Sequence, residues 1–312
     1  MTASSESSRR VEQAQARFAQ VAFAEWLGVA ISDVAHDRAV LVLPYRPEHL
    51  NAAGVLNGGA SASLLTMAGT LAAWTGVDLD ADPHLSCVDL SVQYLAAAAE
   101  EDVVAEARVL RRGRGLVFLD VELRSRAGNP ICQGLLSYQT SHYAGQTPRL
   151  RAQHALLPAP APLMPPSGHR LFQGYVRKLD ISPLHQSPGR VRLHMPCTAM
   201  HVDERGQLHA GALASLVDIA AVAASWSLVP RREGARGSTI GMQVSYPSGA
   251  AEAVVADAHV QQRSEELLFS TVHVTTAGSG QIVALGQVSY RLLEPWPEGS
   301  NASGHAGPTQ SG

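Results

Sequence analysis

Residues 49–74 read HLNAAGVLNGGASASLLTMAGTLAAW, and residues 201–226 read HVDERGQLHAGALASLVDIAAVAASW. The stretches align without a gap at an offset of 152 residues, with identities that include His49/His201, Gly54/Gly206, Leu56/Leu208, Gly59/Gly211, Ala62/Ala214, Ser63/Ser215, Leu64/Leu216 and Trp74/Trp226. The offset persists into strand-like sequence: SVQY (91–94) lies over QVSY (243–246), and LLSY (135–138) over QVSY (287–290). A repeat of this length is a duplicated domain, not a solenoid unit.

Each copy has the same order of elements. A short amphipathic lead comes first (Phe18 to Leu27, and about Arg170 to Lys178), then an alternating strand (Ala39 to Leu43, and Arg190 to Met195). A Gly-containing turn opens one long helix rich in Ala, Leu and Ser. Strands follow, in copy one near Ser86–Tyr94, Asp102–Arg112, Leu116–Arg126 and Ile131–Thr140. AGNP (127–130) and AGSG (277–280) read as hairpin turns. One helix followed by antiparallel strands is an α+β pattern. The expected domains are residues 16–143 and 169–294. A linker over 144–168 joins them, extended and semi-rigid because of the Pro-rich HALLPAPAPLMPPSG (154–168). The polar ends, 1–15 and 295–312, are expected to be disordered.

Bulk properties exclude several classes. The 312 residues are 46% hydrophobic and 16% charged, a globular composition. A net charge of −3 gives no electrostatic case for nucleic acid. Three cysteines, Cys87, Cys132 and Cys197, form no CxxC pair, which argues against a disulfide framework or a zinc site and for a reducing cytoplasm. No apolar run reaches membrane-spanning length, since Ala210–Val229 carries Asp218. A signal peptide is not expected, because no apolar region follows Arg9 and Arg10. GxGxxG, P-loop and GxSxG patterns are absent; GSTIG (237–241) has Thr at its centre.

Asp218 stands out for chemistry. It lies mid-helix in LASLVDIAAVAASW, beyond the reach of an N-cap role, with Ala214, Ser215, Ala221 and Val222 at helical spacing and no cation among them. Such a carboxylate is a general base or nucleophile whose basicity burial raises, or else a structural hydrogen-bonding group. Gly58 and Gly59, with Ala210 and Gly211 in copy two, open the helices, where free N–H groups suit the oxyanion of a thioester under attack. The alternative is that they serve only the turn and close packing. Gly58 precedes Thr66, the counterpart of Asp218, by eight residues, roughly 12 Å along a helix. One reacting centre cannot touch both, so donor and carboxylate must come from different helices.

The pattern H-x-[ND]-x-x-G-x-L-[NH]-[GA]-G-A, with an acid nine positions after the [NH], resembles the PaaI-like hotdog thioesterases, as does DLSVQYLAAAAEEDVVAEARVLRRGRGLVFLDVELRS (89–125). The resemblance covers about 18–140 and 170–293 and implies two hotdog domains in tandem. In each, an antiparallel sheet wraps a central helix, and the two form an intrachain pseudo-dimer. The implied activity is hydrolysis of acyl-CoA thioesters, without metal or cofactor, on medium, branched or aromatic acyl groups. The family's acid maps to Asp218 but to Thr66 in copy one, its Asn to Asn51 but to Asp203, and its His to His209 but to Asn57. One working site is therefore expected: Asp218 as base or nucleophile, Gly58 as oxyanion donor, Asn51 orienting carbonyl or water, with Asn57 and Gly59 at the substrate. Thr66, Asp203, His209 and Ala210 form a degenerate counterpart.

Arg111, Arg112 and Arg114 are candidates for the CoA phosphates, or a solvated hairpin. His201, Asp203 and His209 lack a metal-ligand spacing. Ser86, Ser238, Ser91 and Ser289 lie on strands within reach of a nucleophilic water, or are ordinary strand serines, and Trp74 and Trp226 are expected in the core. Pairing of two such chains is a further expectation. A non-catalytic acyl-CoA binding module is the main alternative. A hotdog dehydratase would need an Asp/His arrangement that the sequence lacks.

Overall fold

The computed structural model describes residues 3–81, 84–141, 170–229 and 235–293. Copy one runs α1 (Ala3–Phe18), α2 (Ala22–Leu27), β1 (Ala30–Ala35), β2 (Arg38–Leu43), α3 (Gly58–Trp74), β3 (His84–Tyr94), β4 (Val103–Arg112), β5 (Leu116–Ser125) and β6 (Pro130–Ser141). Copy two runs α4 (Tyr175–Lys178), β7 (Ser182–Ser187), β8 (Arg190–Met195), α5 (Ala210–Trp226), β9 (Arg236–Ser245), β10 (Val254–Ser264), β11 (Leu267–Thr276) and β12 (Ile282–Leu293). The linker and the tail after Pro295 lie outside the described residues. Among the described residues no helix is long and apolar enough to cross a membrane.

Among the described residues twelve strands form one antiparallel sheet, in the order β1-β2-β4-β5-β6-β3-β9-β12-β11-β10-β8-β7. The two halves mirror each other and join where β3 pairs with β9, from Asp89 opposite Ser245 to Gln93 opposite Gly241. On β5, Val117, Leu119, Val121 and Leu123 are buried while Leu116 and Phe118 are exposed, as a half-buried strand requires. The buried side chains face α3 and α5. These helices are apolar on nearly every side, the mark of a helix enclosed in a core.

α3 and α5 cross antiparallel. The Ser63 and Ser215 hydroxyls meet at 3.0 Å, and each lies 2.9 Å from the carbonyls of both Gly59 and Gly211. Tyr175 from α4 reaches the same point, with its hydroxyl 3.2 Å from Ser63 Oγ and 3.0 Å from Ser215 Oγ. Its counterpart in copy one is Phe23, which packs on the His209 ring instead. The glycines make the crossing close: a methyl group on Gly59 would stand 2.8 Å from Ser215 Cα, and one on Gly211 would stand 2.8 Å from Ser63 Cα.

Three features depart from expectation. Residues 3–15, expected to be disordered, lie in α1: Ala14 and Phe18 are buried, Arg9 and Gln13 bond to Asp80, and Glu6 pairs with Arg10 one turn on. Edge strands β1 and β7 escape sequence reading because they bury almost nothing, only His185 among them being buried, and lack clean alternation. Trp226 is only partly buried, unlike Trp74.

Replacing Gly59 or Gly211 with Ala should force two backbones apart. The expected loss is about 1–3 kcal/mol, read as a lower Tm, whereas Gly115→Ala, at a turn where the added methyl would meet nothing closer than Thr140 O at 3.8 Å, should cost less.

Candidate active site

Asp218 projects from the middle of α5 toward the first turn of α3. A methyl group on Gly58 would lie 2.8 Å from Asp218 Oδ2 and 3.3 Å from Cγ, so only glycine admits this approach. The Gly58 N–H stands at the first helical position, where no carbonyl of the helix can reach it, and it has no acceptor among the described residues. Tyr94 fixes the turn from β3 by donating its hydroxyl to Gly58 O at 3.0 Å.

The carboxylate is 3% exposed. Thr239 Oγ1 donates to Asp218 Oδ1 at 2.7 Å, and the Gly59 N–H, already bonded to Asn57 Oδ1 at 2.9 Å, also faces it. Burial pushes the Asp218 carboxyl up to about 6, against the pull of these two donors toward the charged form. Such a group is ionised at neutral pH yet basic enough to accept a proton.

Sequence reasoning missed Thr239. Ser238, one of the serines considered for water, is its neighbour along β9. Thr239 faces α5 because β9 carries a bulge: Gly241 pairs with Ser289 and Thr239 with Tyr290, leaving Ile240 unpaired. β3 has the matching bulge at Val88, which puts Cys87 where copy two has Thr239. The signal was present, since Cys87 and Thr239 stand 152 residues apart.

The counterpart position carries no carboxylate. Thr66 turns its hydroxyl back to its own helix, donating to Ser63 O at 2.8 Å. It approaches the start of α5, where Ala210 stands in place of Gly58; a methyl group on Gly211 would be 2.7 Å from Thr66 Oγ1. Tyr246 donates to Ala210 O at 3.1 Å, as Tyr94 does to Gly58.

Several expected site residues have other duties. Asn57 and His209 are helix N-caps: Asn57 Oδ1 and His209 Nδ1 accept the N–H of Gly59 and Gly211 at 2.9 and 3.0 Å. Burial lowers His209 to about 4, so its ring is neutral with the proton on Nε2. Asn51 Oδ1 closes an Asx turn on Ala53 N–H at 2.8 Å and faces Val55 N–H at 3.4 Å, and Asp203 does the same on Arg205 and Gln207. These contacts join neither side chain to Asp218. Gly59 serves the helix crossing as well as the cap. His201 is held between Thr198 and Leu179 O, a turn role.

The arginines divide. Arg112 pairs with Asp37 and donates to Ala73 O at 3.1 Å near the end of α3, so it is a structural residue. Arg111 and Arg114 are exposed on the β4–β5 hairpin. The register runs from Val117 through Tyr138 to Cys87, and Tyr138 donates to Thr66 O at 2.9 Å. That hairpin therefore belongs to the Thr66 end of the sheet. The β10–β11 hairpin of copy two leads, through Leu268 and Tyr290, to Thr239 and Asp218. Arg111 and Arg114 therefore lie at the Thr66 end of the sheet, and the β10–β11 hairpin, not theirs, leads to Asp218.

Difference infrared spectroscopy against Asp218→Asn should find the Asp218 carboxyl titrating near 6. Thr239→Val, which removes a donor to the charged form, should move that titration upward; a downward move would contradict the account.

Comparison with known proteins agrees with this architecture. The family model described as "Thioesterase superfamily" matches residues 53–132, within copy one. Acyl-coenzyme A thioesterase 13 of Homo sapiens is 31% identical over 125 residues, covering 39% of this chain and 86% of the relative; the Mus musculus protein is 28% identical over 122 residues, covering 38% and 85%. The fold is shared with the solved structure of acyl-CoA thioesterase II TesB2 from Mycobacterium marinum, with a TM-score of 0.59 at 16% identity over 90% of this chain and 99% of that one. It is shared too with the tesB protein of Mycobacterium avium subs paratuberculosis, with a TM-score of 0.57 at 12% identity over 91% and 100%. With its tandem helix-and-sheet units and the match to a relative over most of that relative's length, the chain belongs to the thioesterase superfamily, in double-hotdog form.

Proposed function

We propose that this chain hydrolyses acyl-CoA thioesters at one composite site, with Gly58 from copy one and Asp218 from copy two as its working parts. The carrying observation is the desolvated carboxylate seated on the start of α3. The substrate class follows from the relatives, which are acyl-coenzyme A thioesterases. In this reading the thioester carbonyl oxygen accepts the Gly58 N–H, where the positive end of α3 favours the charge that develops in the transition state. Asp218 takes a proton from water as the water oxygen attacks the carbonyl carbon, then returns it to the departing thiolate as the C–S bond breaks. In the nucleophilic variant the carboxylate attacks the same carbon, the C–S bond breaks and the thiol leaves with a proton from water, and the hydroxide equivalent then hydrolyses the resulting anhydride to the acid and free Asp218 carboxylate. Thr239 orients the carboxylate in either route. Medium, branched or aromatic acyl groups are the proposed substrates. The free thiols of Cys87, Cys132 and Cys197 suit work in the reducing cytoplasm.

Asp218→Asn should lower kcat/KM by about 10²–10⁴-fold while the protein still folds, and Thr66→Ala should leave turnover essentially unchanged. Full turnover of every acyl-CoA by Asp218→Asn sinks the mechanism. The kcat/KM of the native chain should rise with pH through about 6 and then level. Stability should run the other way. A carboxyl raised in the folded state binds its proton more tightly there, so its contribution is present below the unfolded value and lost as pH climbs through about 6. Denaturant unfolding should therefore find Asp218→Asn at least as stable as the native chain at pH 8.

A further inference from the structure

Tyr138 and Tyr290 occupy equivalent positions on β6 and β12, 152 residues apart, yet their side chains go different ways. Tyr138 reaches inward. Its hydroxyl donates to Thr66 O at 2.9 Å, lies 3.0 Å from Thr70 Oγ1, and sits beside the Cys87 thiol. It fills the space next to Thr66. Tyr290 instead accepts the Trp226 indole N–H at 2.9 Å and lies over Gly237. Trp226 is two turns beyond Asp218, so the Tyr290 hydroxyl points toward the far end of α5 while its backbone pairs opposite Thr239, the donor to Asp218.

Small residues explain the divergence. A methyl group on Gly69 would stand 3.2 Å from the Tyr138 hydroxyl, and copy two has Ala221 at that position. The inward pose is therefore crowded for Tyr290. A methyl group on Gly237 would overlap the Tyr290 ring and hydroxyl, and copy one has Leu85 there. The outward pose is therefore closed to Tyr138. Trp74, the counterpart of Trp226, is left with an indole N–H that no described residue accepts.

The surrounding packing differs in the same sense. Val117 and Tyr138, which pair across β5 and β6, belong to the continuous main core. The corresponding pair in copy two, Leu268 and Tyr290, is detached from it and forms a separate apolar cluster with Val229 and Leu292, with Val222 and Trp226 only partly buried against it. Val222 and Trp226 follow Asp218 by four and eight residues, on one face of α5. An apolar track thus leads from the carboxylate for about 12 Å along the helix.

We infer that Tyr290 and Trp226 form the wall that limits the acyl group at the Asp218 site, while Tyr138 plugs the corresponding space at Thr66. This rests on the proposed hydrolysis at Asp218. The acyl group runs along Val222, and its far end meets the Tyr290–Trp226 pair. The substrate class is an acyl-CoA of medium chain length or with a terminal ring, not one with a long chain.

The experiment is the acyl-length profile of kcat/KM, from acetyl-CoA to palmitoyl-CoA with phenylacetyl-CoA included, for the native chain and four variants. Tyr290→Ala should extend the profile to longer chains. Gly237→Ala should push Tyr290 toward Asp218 and shorten it, with a loss of about tenfold or more for each methylene displaced and retention of the shortest substrates. Tyr138→Ala should leave the profile in place. The opposite signs of the Tyr290 and Gly237 variants keep the test decisive if one of them fails to fold. An unchanged profile in both, or a shift with Tyr138→Ala, overturns the assignment. Asp218→Asn is the fourth variant: turnover retained there means the hydrolysis reading itself is wrong, whereas turnover lost there with unchanged profiles elsewhere removes only the wall.

Discussion

Where α3 crosses α5, the Ser63 and Ser215 hydroxyls lie 3.0 Å apart, and a methyl group on either Gly59 or Gly211 would sit 2.8 Å from the opposite backbone. Contact this close leaves no freedom for either helix to slide or rotate. It sets residue 58 opposite residue 218 and residue 210 opposite residue 66. The sheet that joins through β3 and β9 encloses the pair. The polar atoms at the crossing are satisfied by carbonyls and by Tyr175, so the interface combines small-residue packing with a complete hydrogen-bond set.

Duplication frees one half of this arrangement from the other. A symmetric pair would hold two carboxylates, each desolvated and each destabilising the fold where it is charged. This chain keeps Asp218 alone. At the mirrored position Thr66 satisfies its hydroxyl within its own helix, Cys87 replaces the donor Thr239, and Ala210 replaces Gly58. Each change is what the loss of a charge permits. Without a carboxylate to stabilise, no hydroxyl donor is needed from the strand, and without a carboxylate to accommodate, a methyl group fits at the helix start.

The main lines were legible in the primary structure because they depend on pattern. A repeat in register across helix and strands can only be a doubled domain, and an acid amid Ala, Val and Leu must be paired or functional. The eight-residue spacing from Gly58 to Thr66 pointed to a helix start and an acid from different helices, and Asp218 of α5 does lie against Gly58 of α3. What escaped depends on facing. Asn57 and Asn51 look like polar site residues until their oxygens are seen to cap α3 and to close a turn. Arg112 resembles a phosphate ligand until Asp37 and Ala73 claim it. Thr239 was hidden by a bulge, which reverses inside and outside along β9 in a way that no alternation rule anticipates. α1 was hidden by polarity, because two buried side chains, Ala14 and Phe18, anchor a helix that is otherwise wet.

The central claim is that one thioester per chain is held between a helix start from copy one and an acid from copy two. A crystal structure of the Asp218→Asn chain with an intact acyl-CoA tests it most directly. The account requires one bound thioester per chain, its carbonyl oxygen within hydrogen-bond distance of the Gly58 N–H and its carbon beside residue 218. A carbonyl seated at Ala210 and Thr66, or at neither helix start, would contradict it.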